Sequence, residues 1–189
     1  MALTNSATGF GSVAKAFHWA VVLLFLNQYV VATVMIMMNK DDTVFGLGQG
    51  WYYTWHKSVG LLILAIVLLR LTWRITTRLP DWAESLQDWE RTTVSWIERL
   101  LYVCMFVMPL SGYLFTEAGG YYFKWFGVVT LPVLIAKTPV LAVVAEVTHV
   151  ITSYLILILV TLHVALGVKH QVVDKDGFLY RMLPFGRRS

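Results

Sequence analysis

The 189-residue chain contains one cysteine, Cys104, set in an apolar stretch. A lone thiol can form no intrachain disulfide and can build neither a Cys-ligated zinc site nor an iron–sulfur centre. Charge is scarce as well: 14% of residues are Asp, Glu, Lys or Arg, and the central parts of the long apolar runs hold no acid. Intramembrane proton relays and transporters commonly carry Asp or Glu at such depths, so this lack counts against a non-redox relay protein. No Gly-rich nucleotide fingerprint, internal repeat or low-complexity tract is present. The first twelve residues lack the basic start and small-residue cleavage site of a signal peptide, so the first helix is expected to be retained.

Apolar residues, by contrast, make up 58% of the chain and aromatics 14%, with a mean hydropathy of +0.65. A soluble domain of this length is far more polar. Four segments, roughly 16–38, 53–73, 94–115 and 138–170, are long enough to cross a hydrocarbon core of about 30 Å. The expected fold is an all-α integral membrane protein, a four-transmembrane-helix bundle forming a single domain over 1–189. Thr138 and Pro139 read as the N-cap and first residue of the fourth helix.

The net charge of +4 does not suggest nucleic acid, because the basic residues cluster beside apolar segments. Lys15, the loop after the second span (Arg70, Arg74, Arg78, Arg91, Arg99) and the tail (Lys169, Lys175, Arg181, Arg187, Arg188) hold eleven of the fifteen. The positive-inside rule therefore predicts both termini in the cytoplasm. The stretch 118–137, with Tyr121, Tyr122, Phe123, Trp125 and Phe126, reads as an aromatic cap at the outer interface. The stretch 80–91, with Trp82 and Trp89 among acidic residues, reads as a short amphipathic surface segment.

All five histidines fall in or beside the apolar runs, where an imidazole needs a partner. His149 and His163 are fourteen residues apart, which on one helix means about 21 Å and nearly one face. His18 matches His163 in depth, and His56 matches His149. Paired imidazoles at two depths suit the axial ligation of two b haems, the pairs being His18 with His163 and His56 with His149. Interhelical hydrogen bonding is the plainer account of any one such histidine. His170, seven residues past His163, is an alternative partner for His18. Left unligated, His170, beside Gln171, is a candidate for proton exchange at a quinone. Gly60 and Gly167, each four residues after a proposed ligand, read either as porphyrin-facing or as packing glycines. Arg70 and Arg74 are placed to meet haem propionates, though topology alone would also put arginines there.

Phe17-His18-Trp19, His56-Lys57-Ser58-Val59-Gly60, Leu69-Arg70-Leu71-Thr72-Trp73-Arg74, the pair His149 and His163, and the tail Tyr180-Arg181-Met182-Leu183-Pro184 together resemble the bacterial cytochrome b561 family. The resemblance spans the whole chain. It implies a four-helix bundle in the bacterial inner membrane with two haems b and a quinone, and it carries the ligand role to His18, His56, His149 and His163. Similar members pass electrons from superoxide at the outer face to ubiquinone, while related cytochromes are electron-transfer subunits of hydrogenases and other membrane oxidoreductases. With no soluble domain, the chain suits the first role and needs no protein partner for it. Lys57 and Lys124 are then the candidates for steering the superoxide anion. The outer cations, Lys40, Lys57, Lys124 and Lys137, are matched in number by Asp41, Asp42, Glu117 and Glu146. Any attraction has to come from arrangement.

Overall fold

A computed structural model describes residues 2–184. Arg187 and Arg188, counted above for orientation, lie outside the described residues. Helix α1 runs Ser12–Met37, α2 Gln49–Thr76, α3 Asp88–Ala118 and α4 Pro139–Lys169. Two small hairpins intervene: β1 (Thr43–Val44) with β2 (Leu47–Gly48), and β3 (Lys124–Trp125) with β4 (Val129–Thr130). Beyond α4 the chain makes a π-helical turn, His170–Asp174, and a 3-10 turn, Phe178–Arg181.

All four α-helices are long and apolar enough to cross a membrane. Side chains such as Leu23, Leu26, Ile151 and Ile158 are exposed on them, as lipid-facing residues must be. At 26 to 31 residues the helices reach about 39–47 Å at 1.5 Å per residue, beyond what the hydrocarbon requires. The excess consists of polar ends that hydropathy does not see. At the start of α3, for instance, Glu90 reaches back to accept the Gln87 N–H at 3.0 Å, one half of a capping box. The stretch 80–91 is therefore not one surface segment. Its last four residues are the first turn of α3, and Ala83 and Leu86 are buried against Val94, with Leu166 and Phe178 beside them. Pro139 does open α4, but the Thr138 hydroxyl donates to the Ala136 carbonyl instead of capping the helix.

Internal contacts divide the chain into two units. One consists of Val21–Ala65 and Phe106–Thr152. Its core gathers Val31, Met38 and Tyr52 against Val34, Met35, Val44, Leu47 and Trp55. Gln49 donates to the Met35 and Met38 carbonyls, which satisfies orphan acceptors at the end of α1. The aromatic stretch expected as a cap is the β3–β4 hairpin, pinned to α2 through Ser58. The Phe126 N–H donates to the Ser58 hydroxyl at 2.7 Å, and the Trp125 indole donates to the Ser58 carbonyl at 3.3 Å.

The other unit takes in the chain up to Ala20, Ile66–Met105 and the segment from Ser153 on. Here the tail folds back on the start of α1. Trp19 donates its indole N–H to the Met182 carbonyl, and Lys15 bonds the Leu183 carbonyl.

Candidate functional site

In the first unit, α2 presents His56 and α4 presents His149, their ring centres 6.1 Å apart and their planes at 79°. The His149 Nδ1–H lies 2.9 Å from the Met108 carbonyl. A proton held there leaves Nε2 with its lone pair. His56 Nδ1 is buried and meets no partner. Gly112, on α3, lies against the His149 ring: a Cβ at that position would meet Cε1 at 2.9 Å and Nδ1 at 3.0 Å.

In the second unit, α1 presents His18 and α4 presents His163, with ring centres 6.3 Å apart at 50°. A metal bound between two imidazoles sets their ring centres about 6.3 Å apart, given metal–nitrogen bonds of about 2.0–2.1 Å. Both pairs match that separation. Among the described residues neither pair gathers a third His, Cys, Asp or Glu within ligand spacing, so a tetrahedral zinc site does not fit and a two-ligand axial arrangement does.

Arg70, which the sequence leaves either to meet a propionate or to sit at a helix end by topology alone, lies with Nη2 3.3 Å from His18 Nδ1 and its guanidinium over the Tyr102 ring. Arg74 pairs with Glu98 at 2.7 Å, over the same ring. Arg70 therefore has no carboxylate partner among the described residues, and an anionic group is what it lacks. Ligation of a metal through His18 Nε2 requires Nδ1 to carry the proton, so Arg70 has to turn off that nitrogen.

His170 is not the free interfacial imidazole the sequence suggested. It is fully buried, with Nδ1 2.9 Å from Asp174 and 2.7 Å from Asp176, and Nε2 3.8 Å from Glu90. Its alternative role as partner of His18 is not the one the structure displays, since His163 faces His18. Lys169 bonds Glu90 and reaches Asp174 at 2.8 Å. Ligand atoms of Glu90, His170 and Asp174 lie within 4.8 Å of one another. The cation seated between the two carboxylates is the Lys169 ammonium, so this is an ion cluster closed on itself.

The remaining candidates divide. Lys57 is half-buried, its ammonium 5.6 Å from the centre of the Tyr121 ring, whereas Lys124 is exposed on β3. Gln171 is half-buried with its Oε1 unpartnered. A Cβ at Gly60 would meet only the Gln28 amide, at 3.8 Å, and one at Gly167 would meet Leu179 of the tail at 3.3 Å. Gly167 is thus a packing glycine against the tail. Gln28, Met108, Gly112, Glu90 and Asp176 went unnoticed in the sequence. Gln28 alone left a signal there, as an amide in the middle of an apolar run.

The chain is similar to known proteins over nearly its whole length. A family model described as prokaryotic cytochrome b561 matches residues 9–185. The chain is 27% identical to cytochrome b561 homolog 2 of Escherichia coli strain K12 over 186 residues, covering 97% of this chain and 95% of the relative. It is 25% identical to cytochrome b562 of Cereibacter sphaeroides over 181 residues, 93% and 95% of the two chains. With two matched histidine pairs on four spanning helices and a family match over nearly its whole length, the chain belongs to the prokaryotic cytochrome b561 family of membrane electron-transfer proteins.

Proposed function

We propose that this protein holds two haems b, one between His56 and His149 and one between His18 and His163, and works as a superoxide:ubiquinone oxidoreductase of the bacterial inner membrane. The observation that carries this reading is the pair of ring separations, 6.1 and 6.3 Å, each matching two imidazoles on one metal. Bound there, haem would supply a one-electron relay, and ligation by both imidazoles of a pair would favour outer-sphere transfer over oxygen binding.

The chain's own residues serve the rest. The Met108 carbonyl fixes the His149 tautomer. Arg70, released from His18, offers its guanidinium to a propionate. At the outer face Lys57, its ammonium over the Tyr121 ring, and Lys124, exposed on β3, are the cations placed to attract a small anion. At the cytoplasmic face, where the positive-inside rule puts both termini, His170 is closed inside the cluster of Glu90, Lys169, Asp174 and Asp176, so the protons for quinone reduction come from interfacial water.

The test is the haem content of purified protein with reduced-minus-oxidised spectra, taken after superoxide and again after ubiquinone. Two low-spin b haems, reduced by superoxide and reoxidised by quinone, are expected. Two haems indifferent to superoxide would assign the chain to a larger oxidoreductase as its electron-transfer subunit, and no haem would sink the reading. His56→Ala or His149→Ala should each remove the same single haem.

A further inference from the structure

Gln28 lies midway along α1, only 8% exposed. Its Nε2 donates to the main-chain carbonyl of His56 at 2.8 Å. That carbonyl belongs to the interior of α2, and its second lone pair accommodates the amide. The contact ties Gln28 to the residue whose ring faces His149. Two buried atoms of this residue pair are left without partners, Gln28 Oε1 and His56 Nδ1. One is an acceptor; the other becomes a donor as soon as Nε2 is committed to a metal. At membrane depth there is no bulk water to relieve either.

The neighbouring polar groups are already engaged. Asn27 Oδ1 accepts the Trp55 indole N–H at 3.0 Å. The Ser58 hydroxyl donates to the Thr54 carbonyl and accepts the Phe126 N–H. The Lys57 ammonium lies over Tyr121 and is a donor only. Gly60, with no side chain, leaves the Gln28 amide its approach. Of these groups, Gln28 Oε1 is the open acceptor.

We propose that Gln28 is the positioning residue for His56, its Nε2 anchored on the His56 carbonyl and its Oε1 accepting the His56 Nδ1–H when Nε2 ligates the haem. This rests on the reading of His56 and His149 as axial ligands. His149 shows the same device in a different form, its Nδ1 held by the Met108 carbonyl. Acceptors on Nδ1–H orient a ligating ring and raise its basicity, which favours the ferric state.

Potentiometric titration and low-temperature electron paramagnetic resonance of the full-length, haem-loaded protein test this. Gln28→Leu, which keeps the volume and removes the acceptor, should raise the midpoint potential of the haem that depends on His56, alter its low-spin signal and weaken haem affinity about 10–100-fold. Gln28→Glu, a stronger acceptor, should move the potential the opposite way. A through-space charge moves the potential, whereas a changed bond on Nδ1–H also moves the low-spin signal of that haem. Unchanged low-spin signals in both variants would overturn the proposal. If Gln28→Leu retains no haem, the Gln28→Glu signal decides: a shift together with a lower potential supports the proposal and an unchanged signal overturns it. Retention of both haems in His56→Ala would show instead that the ligation reading itself has failed, and the role of Gln28 would fail with it.

Discussion

At the scale of single residues, the place of His149 depends on an absence. Gly112 has no Cβ, and a methyl there would stand 2.9–3.0 Å from two atoms of the imidazole, closer than any ordinary contact. The ring cannot yield without leaving the Met108 carbonyl and its alignment with His56. If each histidine pair holds a haem, Gly112→Ala should therefore remove the one at His56 and His149 and spare the other. Gly60→Ala, whose methyl meets only the Gln28 amide at 3.8 Å among protein atoms, should lower haem content if Gly60 faces the porphyrin and leave it unchanged if Gly60 is a packing glycine. The haem-to-protein ratio of the two variants is the measurement, and full haem content in Gly112→Ala would refute the argument. Gly60 and Gly167 stand out in the sequence by their spacing from histidines on their own helices, whereas Gly112 matters through a ring on another helix, which spacing cannot show. Gln28 and Asp176 escape for the same reason, since their partners are close only after folding.

Elements follow a related division. The four spans were legible because an apolar run of about twenty residues has few other uses, and the depth-matching of His18, His56, His149 and His163 follows from their places in those runs. Helix ends were less legible, because polar turns such as Asp88–Arg91 are held by a capping side chain and not by hydrophobicity. The hairpins were invisible. Their turns use Phe45 and Phe126 at φ 52° and 48°, each followed by a glycine of positive φ, and a bulky residue in that region is uncommon. For the β3–β4 hairpin the compensation is Ser58, which is itself fully buried. Ser58→Ala leaves the Phe126 N–H without its acceptor, a loss of about 1–3 kcal/mol. Hydrogen exchange should then accelerate across 124–130 while the cores of α2 and α4 stay protected. Unaltered protection of the hairpin would show that the Trp55–Phe126 contact, at 5.5 Å, and the Trp125 bond to the Ser58 main-chain carbonyl suffice to hold it.

For the molecule as a whole, charge governs both what arrives and what stays closed. If Lys57 and Lys124 steer superoxide, its oxidation rate should fall as ionic strength rises through the range where the Debye length shrinks from about 30 to 10 Å, and a flat rate would count against steering. The tail closes on the rest of its unit through Asp176, whose side chain is 10% exposed. Burial by itself would push this carboxyl up, but the Ser85 hydroxyl, the Phe178 N–H and the His170 ring outweigh it and hold it below the usual carboxylate range. A depressed folded pKa means stability that is fully present above the unfolded value of about 3.9 and is lost as pH falls through the folded one. The carboxylate's hydrogen bonds are worth about 1–3 kcal/mol in total by the usual measure for charged partners. Asp176→Asn should therefore unfold at lower temperature than the parent at neutral pH, and the gap should close as pH drops below about 4. Thermal unfolding in detergent across that range is the measurement. A gap that persists at low pH would mean that Asp176 acts by packing, and that the charged contact to His170 contributes little to holding the tail in place.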